Sequence, residues 1–287
     1  MTELERLVQV ALAEDLVNGV DATSDCLIPK SAVGNGWIEV REPATVSGLM
    51  AAEAVFRAVD TAVQVKLAVQ DGMPVAPQDH VMEISGPAIS ILKAERTALN
   101  LLCHLSGVAT ATNAVVKIAE PWGTRILCTR KTTPGLRFLE VMAVRHGGGG
   151  AYRTNLTDSV LIKDNHLGIV GGMDGVADRI NALRQSNPAR AAQLLEEGKI
   201  EAGSLDEVRR AVAMGWRQIL LDNFTPDQVR EAVEQFGKAA YLEVSGGVTL
   251  ANIADYAATR VHAISIGAIT HSSRAIDFSL EVEWRHK

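Results

Sequence analysis

The stretch KIEAGSLDEVRRAVAMGWRQILLDNFTPDQVREAVEQFGKAAYLEV, residues 199 to 244, decides the fold. KIEA (199–202) is a short apolar run, and LDEVRRAVAM (205–214) after it has helical amphipathic spacing. The same pair repeats as QILLD (218–222) and PDQVREAVEQF (226–236), and YLEV (241–244) opens a third unit. Working outward, RILCT (125–129) precedes the helix-like RFLEVMAVRH (137–146), and SVLIK (159–163) precedes a helix at 173–186. LANIADYAA (250–258) and HAISIG (262–267) follow. Strands alternating with helix-sized connections predict a parallel sheet, and six or seven such units predict an incomplete TIM-like (β/α) barrel.

Upstream the pattern is mixed. Helices are predicted at 2–15 and 50–59, strands at 36–43, 63–69 and 80–85, and a long apolar helical region at 91–119. This reads as an α+β domain feeding into the barrel, within an α/β chain of 287 residues. Hydrophobic residues at 47% and charged residues at 22% provide for a normal core. A net charge of −6 argues against a nucleic-acid binder, although a few arginines in a cleft still suit a small anion. Three widely spaced cysteines and an acidic amphipathic N-terminus, unlike a signal peptide, predict a cytoplasmic protein. No apolar run is expected to span a bilayer.

Each barrel strand ends in a polar residue or a glycine: Arg130 with Lys131, Lys163, Glu201, Asp222, Ser245, and Gly267 leading to His271. In such barrels the C-terminal strand ends converge on the active face. In TRKTTPGLR (129–137) an arginine fork and a lysine point charge suit a carboxylate or phosphate. Glu201 and Asp222, 21 residues apart, suit Mg²⁺ carried on a phosphate. Ser245, Gly246 and Gly247, with the SIGAITHS loop (265–272), form a candidate monophosphate cradle. RHGGGGAYR (145–153) places four glycines before Tyr152 and Arg153, which suits a linker, a phosphate cradle or a close approach of one backbone to another. There is no Ser-His-Asp order, Walker loop or G-x-G-x-x-G.

ERTALNLLCHLSGVAT, TRKTTPGLR, LIKDNH, LLDNF, VSGG and SIGAITHS, in this order, resemble the quinolinate phosphoribosyltransferase family over nearly the whole chain. The resemblance implies an N-terminal α/β sandwich domain over 1–110, completed by about 273–287, and a barrel catalytic domain over 111–272. It implies that quinolinate and phosphoribosyl pyrophosphate give nicotinate mononucleotide, CO2 and pyrophosphate, with Mg²⁺, in homodimers with shared sites. Assembly into hexamers stays open.

By motif, Arg96 would reach across the dimer to the base, Arg130 and Arg153 would bind its carboxylates, and Lys163 would lie near base and ribose. Lys131 would hold phosphate oxygens, Glu201 and Asp222 would face the ribose and metal, and Ser245, Gly246, Gly247, Gly267 and His271 would hold the monophosphate. Lys131, Lys163, Glu201 and Asp222 are the expected catalytic set.

The chain departs from the family pattern at Ala151–Tyr152, where Asn-His is usual, and at His146 (usually Cys), Lys199 (usually Glu) and His262 (usually acidic). The replaced histidine belongs to the family's quinolinate-binding set, so the resemblance implies Tyr152 as a substrate-binding residue in its place, with the glycines letting the backbone pass close to the bound base. A tyrosine donates one hydrogen bond and carries no positive charge at neutral pH. A second expectation therefore stands beside quinolinate: a paralogue acting on another carboxylated heteroaromatic base.

Overall fold

In the computed structural model residues 1–285 are described. Positions 286 and 287, the end of the stretch expected to complete the N-terminal domain, lie outside the described residues. The elements run α1 (Glu3–Asp15), α2 (Ala22–Leu27), β1 (Val33–Val40), β2 (Ala44–Thr45), α3 (Leu49–Val59), β3 (Gln64–Leu67), β4 (Pro74–Val75), β5 (His80–Pro87) and α4 (Ala88–Ala119). Then come β6 (Arg125–Cys128), α5 (Arg137–His146), β7 (Gly150–Ala151), β8 (Leu161–Ile162), α6 (Asp164–Val170), α7 (Gly172–Ser186), α8 (Pro188–Glu197) and β9 (Lys199–Ala202). The chain closes with α9 (Leu205–Met214), β10 (Gln218–Asp222), α10 (Pro226–Phe236), β11 (Tyr241–Ser245), α11 (Ile253–Ala257), β12 (Ala263–Ile266), α12 (Ala268–His271) and β13 (Phe278–Arg285).

Two compact units result. The first holds Met1–Asn113, Thr132–Gly148 and the chain from Ile269; the second holds Ala114–Lys131 and Gly149–Ala268. Segment 132–148, expected within 111–272, thus clusters with the first unit. The cause is local: Glu140 on α5 bonds His104 on α4, and a side chain on Gly147 would fall 2.5 Å from the Ala109 carbonyl. The first of the four glycines therefore serves a close approach to α4. Gly150 enters β7 instead.

The first unit is built on an antiparallel sheet ordered β13-β1-β5-β3. Burial alternates along β1, with Ile38 and Val40 fully enclosed, so one face of the sheet is core. The α4 helix buries Ile91, Leu102, Leu105 and Val108. Contrary to expectation, its apolar length meets the requirement for crossing a membrane; half of that window is buried in the protein, as in a core helix.

The second unit is a seven-stranded, all-parallel sheet ordered β7-β6-β12-β11-β10-β9-β8, the incomplete barrel expected from 199–244. Caps fix the helices between strands. Thr225 and Gln228 form a capping box at α10, and Ser204 caps α9. Among the described residues no ladder joins β7 to β8, so the sheet has two edges.

Candidate active site

Within the second unit, strand register places the charged side chains. Glu201 lies inside β9 level with Leu220, and Asp222, at the end of β10, is level with Ser245. Glu201 is buried, at 4% exposure. Its two oxygens are held separately: Lys163 Nζ donates at 2.7 Å to one, and the Asp164 backbone N–H at 3.2 Å to the other. Asp222 is half-buried and accepts from Asn223 Nδ2 at 2.8 Å. Burial, then the Glu201 charge, push its carboxyl above the usual range, against the pull of Lys163. A cation beside the pair would relieve that repulsion.

The cations lie around β6 and β7. Arg130, half-buried, and the exposed Lys131 follow β6. Arg153 follows β7, and its Nη1 donates to Ser159 O at 3.2 Å. Burial and then the Arg130 charge make it easier to deprotonate than usual, so the two guanidiniums sense each other. Two half-buried like charges are a receptor for an anion.

Tyr152 behaves otherwise. Its hydroxyl lies 3.0 Å from Val160 O and 3.1 Å from Glu197 O, so its one proton is shared between two backbone carbonyls. Its ring lies under the Lys199 ammonium, 3.5 Å from the centroid. Lys199, 1% exposed, is paired with Glu243, and Glu243 accepts from Ser265 Oγ at 2.6 Å. This buried chain was not singled out as functional from the sequence, though Lys199 was noted as a departure. The available signal was period-two polarity: Lys199 with Glu201 in KIEA, and Glu243 with Ser245 in LEVS, share one face of their strands.

The expected phosphate turn follows β11. Gly246 has φ +96°, and a Cβ there would fall 2.1 Å from Asn223 Oδ1. Gly247 has φ +65° and its carbonyl accepts from Asn252 Nδ2 at 3.0 Å. Position 246 therefore requires glycine, and position 247 favours it. Gly267 directly follows β12. The structure does not bring all expected residues into one unit: His271, bonded to Ser272 Oγ at 2.6 Å, and Arg96, exposed on α4, belong to the first.

Residues 21–106 match the quinolinate phosphoribosyl transferase N-terminal domain, and 108–281 its C-terminal domain. The chain belongs to the quinolinate phosphoribosyl transferase family. A nicotinate-nucleotide pyrophosphorylase [carboxylating] of Mycobacterium leprae is 38% identical, covering 96% of this chain and 95% of its own. Quinolinate phosphoribosyltransferase [decarboxylating] 2 of Nicotiana glauca is 33% identical, covering 98% of this chain and 82% of its own. Among solved structures, the nicotinate-nucleotide pyrophosphorylase from Francisella tularensis superposes with a TM-score of 0.89 at 35% identity, covering 98% and 96% of the two chains. Two departures from the family pattern, Tyr152 and Lys199, turn out to be in contact.

Proposed function

We propose that the protein transfers the phosphoribosyl group of phosphoribosyl pyrophosphate to quinolinate, yielding nicotinate mononucleotide, CO2 and pyrophosphate. The observation that carries this reading is the segregation of charge in the second unit. Burial and then the Arg130 charge lower the proton affinity of Arg153, whereas burial and then the Glu201 charge raise that of Asp222. The first pair suits the carboxylates of the acid, the second the positive character of a reacting ribose. Nothing in the fold or the relatives favours a different base acid.

Arg130 and Arg153 would orient the acid so that its ring nitrogen faces ribose C1. The nitrogen–C1 bond forms as the bond from C1 to the pyrophosphate oxygen breaks, and Glu201 and Asp222 stabilise the oxocarbenium character between. Lys163, ion-paired to Glu201, would stand near the base and the reacting ribose. The quaternised ring then accepts the electrons of the adjacent carboxylate, CO2 leaves, and the ring carbon takes a proton. Lys131 would hold phosphate oxygens, and the Ser245–Gly247 turn with Gly267 the 5-phosphate.

A donor set of two carboxylates, one with its proton affinity raised by burial and then by the other's charge, fits Mg²⁺; Glu201 and Asp222 would hold it through water and substrate oxygens. When bound, that ion neutralises charge on the departing pyrophosphate. The reading extends to a homodimer, supported by the exposure of Arg96 on α4, with the same assignment to the partner's base. It extends also to a cytoplasmic protein of small-molecule substrates, which the net charge of −6 supports over nucleic acid.

Incubating the protein with quinolinate, phosphoribosyl pyrophosphate and Mg²⁺, and separating the products by chromatography, tests it. Nicotinate mononucleotide is expected. Its absence, with pyrophosphate released only in the presence of another acid, overturns the assignment.

A further inference from the structure

The seven-stranded sheet of the second unit leaves β7 and β8 unpaired to each other, and what spans that gap is side chain rather than ladder. Tyr152, one residue past β7, reaches the carbonyl of Val160 just before β8 and that of Glu197 two residues before β9. Arg153 reaches Ser159 O. The Val160 carbonyl also accepts the Lys199 N–H at 2.9 Å, so Tyr152 attaches to the point where the β8–β9 ladder begins.

The ring itself is held from the barrel interior. Lys199 is 1% exposed, a costly place for an ammonium, and two groups compensate it: the Glu243 carboxylate and the face of Tyr152. Ser265 satisfies the other Glu243 oxygen. Burial lowers the proton affinity of Lys199, opposed by Glu243. An interior cation–carboxylate pair thus ends on an aromatic ring whose hydroxyl pins the open edge, one residue from Arg153.

We propose that Lys199, Glu243 and Tyr152 form one positioning unit that closes the open edge of the barrel and sets Arg153 for the acid substrate. Tyr152 then acts on the base through its neighbour, because its hydroxyl is committed to the frame. The inference rests on the reading of function above for its kinetic part only.

The test is a double-mutant cycle. One arm is Tyr152→Phe, which keeps the ring and removes the hydroxyl. The other is Lys199→Met with Glu243→Gln, which removes both interior charges together, so that neither is left buried alone. Each arm is expected to raise the KM for quinolinate about fivefold, while kcat and the KM for phosphoribosyl pyrophosphate stay within about twofold. The combined variant is expected to show less than the product of the two effects, and its loss of melting temperature less than their sum.

A merely structural role would lower the active fraction, and so kcat, without moving the KM for the acid. An unchanged acid KM, equal changes for both substrates, or fully additive melting shifts would overturn the inference. If the wild-type protein does not turn over quinolinate, the functional reading fails by itself, and additivity of the melting shifts still decides the positioning unit.

Discussion

At the scale of single residues, the two carboxylates differ in kind. Each oxygen of Glu201 already accepts one bond, from Lys163 or the Asp164 N–H, whereas Asp222 has a raised proton affinity and accepts from Asn223. Asp222 is therefore the residue whose charge is destabilised until a cation arrives. Asp222→Asn should lower kcat about 10²-fold with the KM for the acid little changed; steady-state kinetics with each substrate varied would check this.

Gly246 gives a second prediction. Alanine there must keep a left-handed φ and displace Asn223, whose backbone N–H bonds Ser245 O. Gly246→Ala should cost about 1–3 kcal/mol in urea unfolding and raise the KM for phosphoribosyl pyrophosphate. The charged strand ends were legible because parallel barrels deliver them to one face. The direction of Tyr152 was not. Its partners are backbone carbonyls, which carry no side-chain signature, and the lysine over its ring lies 47 positions on (199 − 152).

Elements follow from local rules, and most were readable. The ranges predicted for α5, β9, α9, β10 and α10 are those observed, since each combines a clear period with a cap or a turn. Short or weakly apolar pieces escaped prediction: β7 has two residues, the last of the four glycines and Ala151, and a single residue separates α6 from β8. β13 also escaped prediction although its period was legible: apolar Phe278, Leu280, Val282 and Trp284 alternate with Ser279, Glu281, Glu283 and Arg285.

The buried Glu140 on α5 shows what tertiary context adds. Burial drives its carboxyl up, but bonds from His104 at 2.8 Å and the Thr133 N–H at 3.1 Å outweigh it and hold the carboxyl below its usual range. A depressed carboxyl stabilises the fold above its unfolded value, about pH 4.3, and that contribution is lost as pH falls through the folded value. Urea midpoints measured across this acid range should therefore fall less steeply in Glu140→Gln, which should itself cost about 1–3 kcal/mol at neutral pH. Thr225→Ala, which removes the capping box of α10, should cost about 1 kcal/mol in the same assay.

For the molecule as a whole, the first unit depends on the chain's last strand. β13 pairs with β1 along all eight positions from 33 to 40, and Phe278 is buried. A chain ending at Ile276 would leave β1 as an unpaired edge. It should melt lower or aggregate, as light scattering during a thermal ramp would reveal; unchanged melting would contradict the role given to β13.

The central claim is that a cationic clamp and a carboxylate pair serve one decarboxylating transfer. The most direct measurement follows CO2 from carboxyl-labelled quinolinate in the presence and absence of phosphoribosyl pyrophosphate. The account predicts labelled CO2 only when both substrates are present, one for each nicotinate mononucleotide formed. Turnover of nicotinate in place of quinolinate, with no labelled CO2, would contradict it.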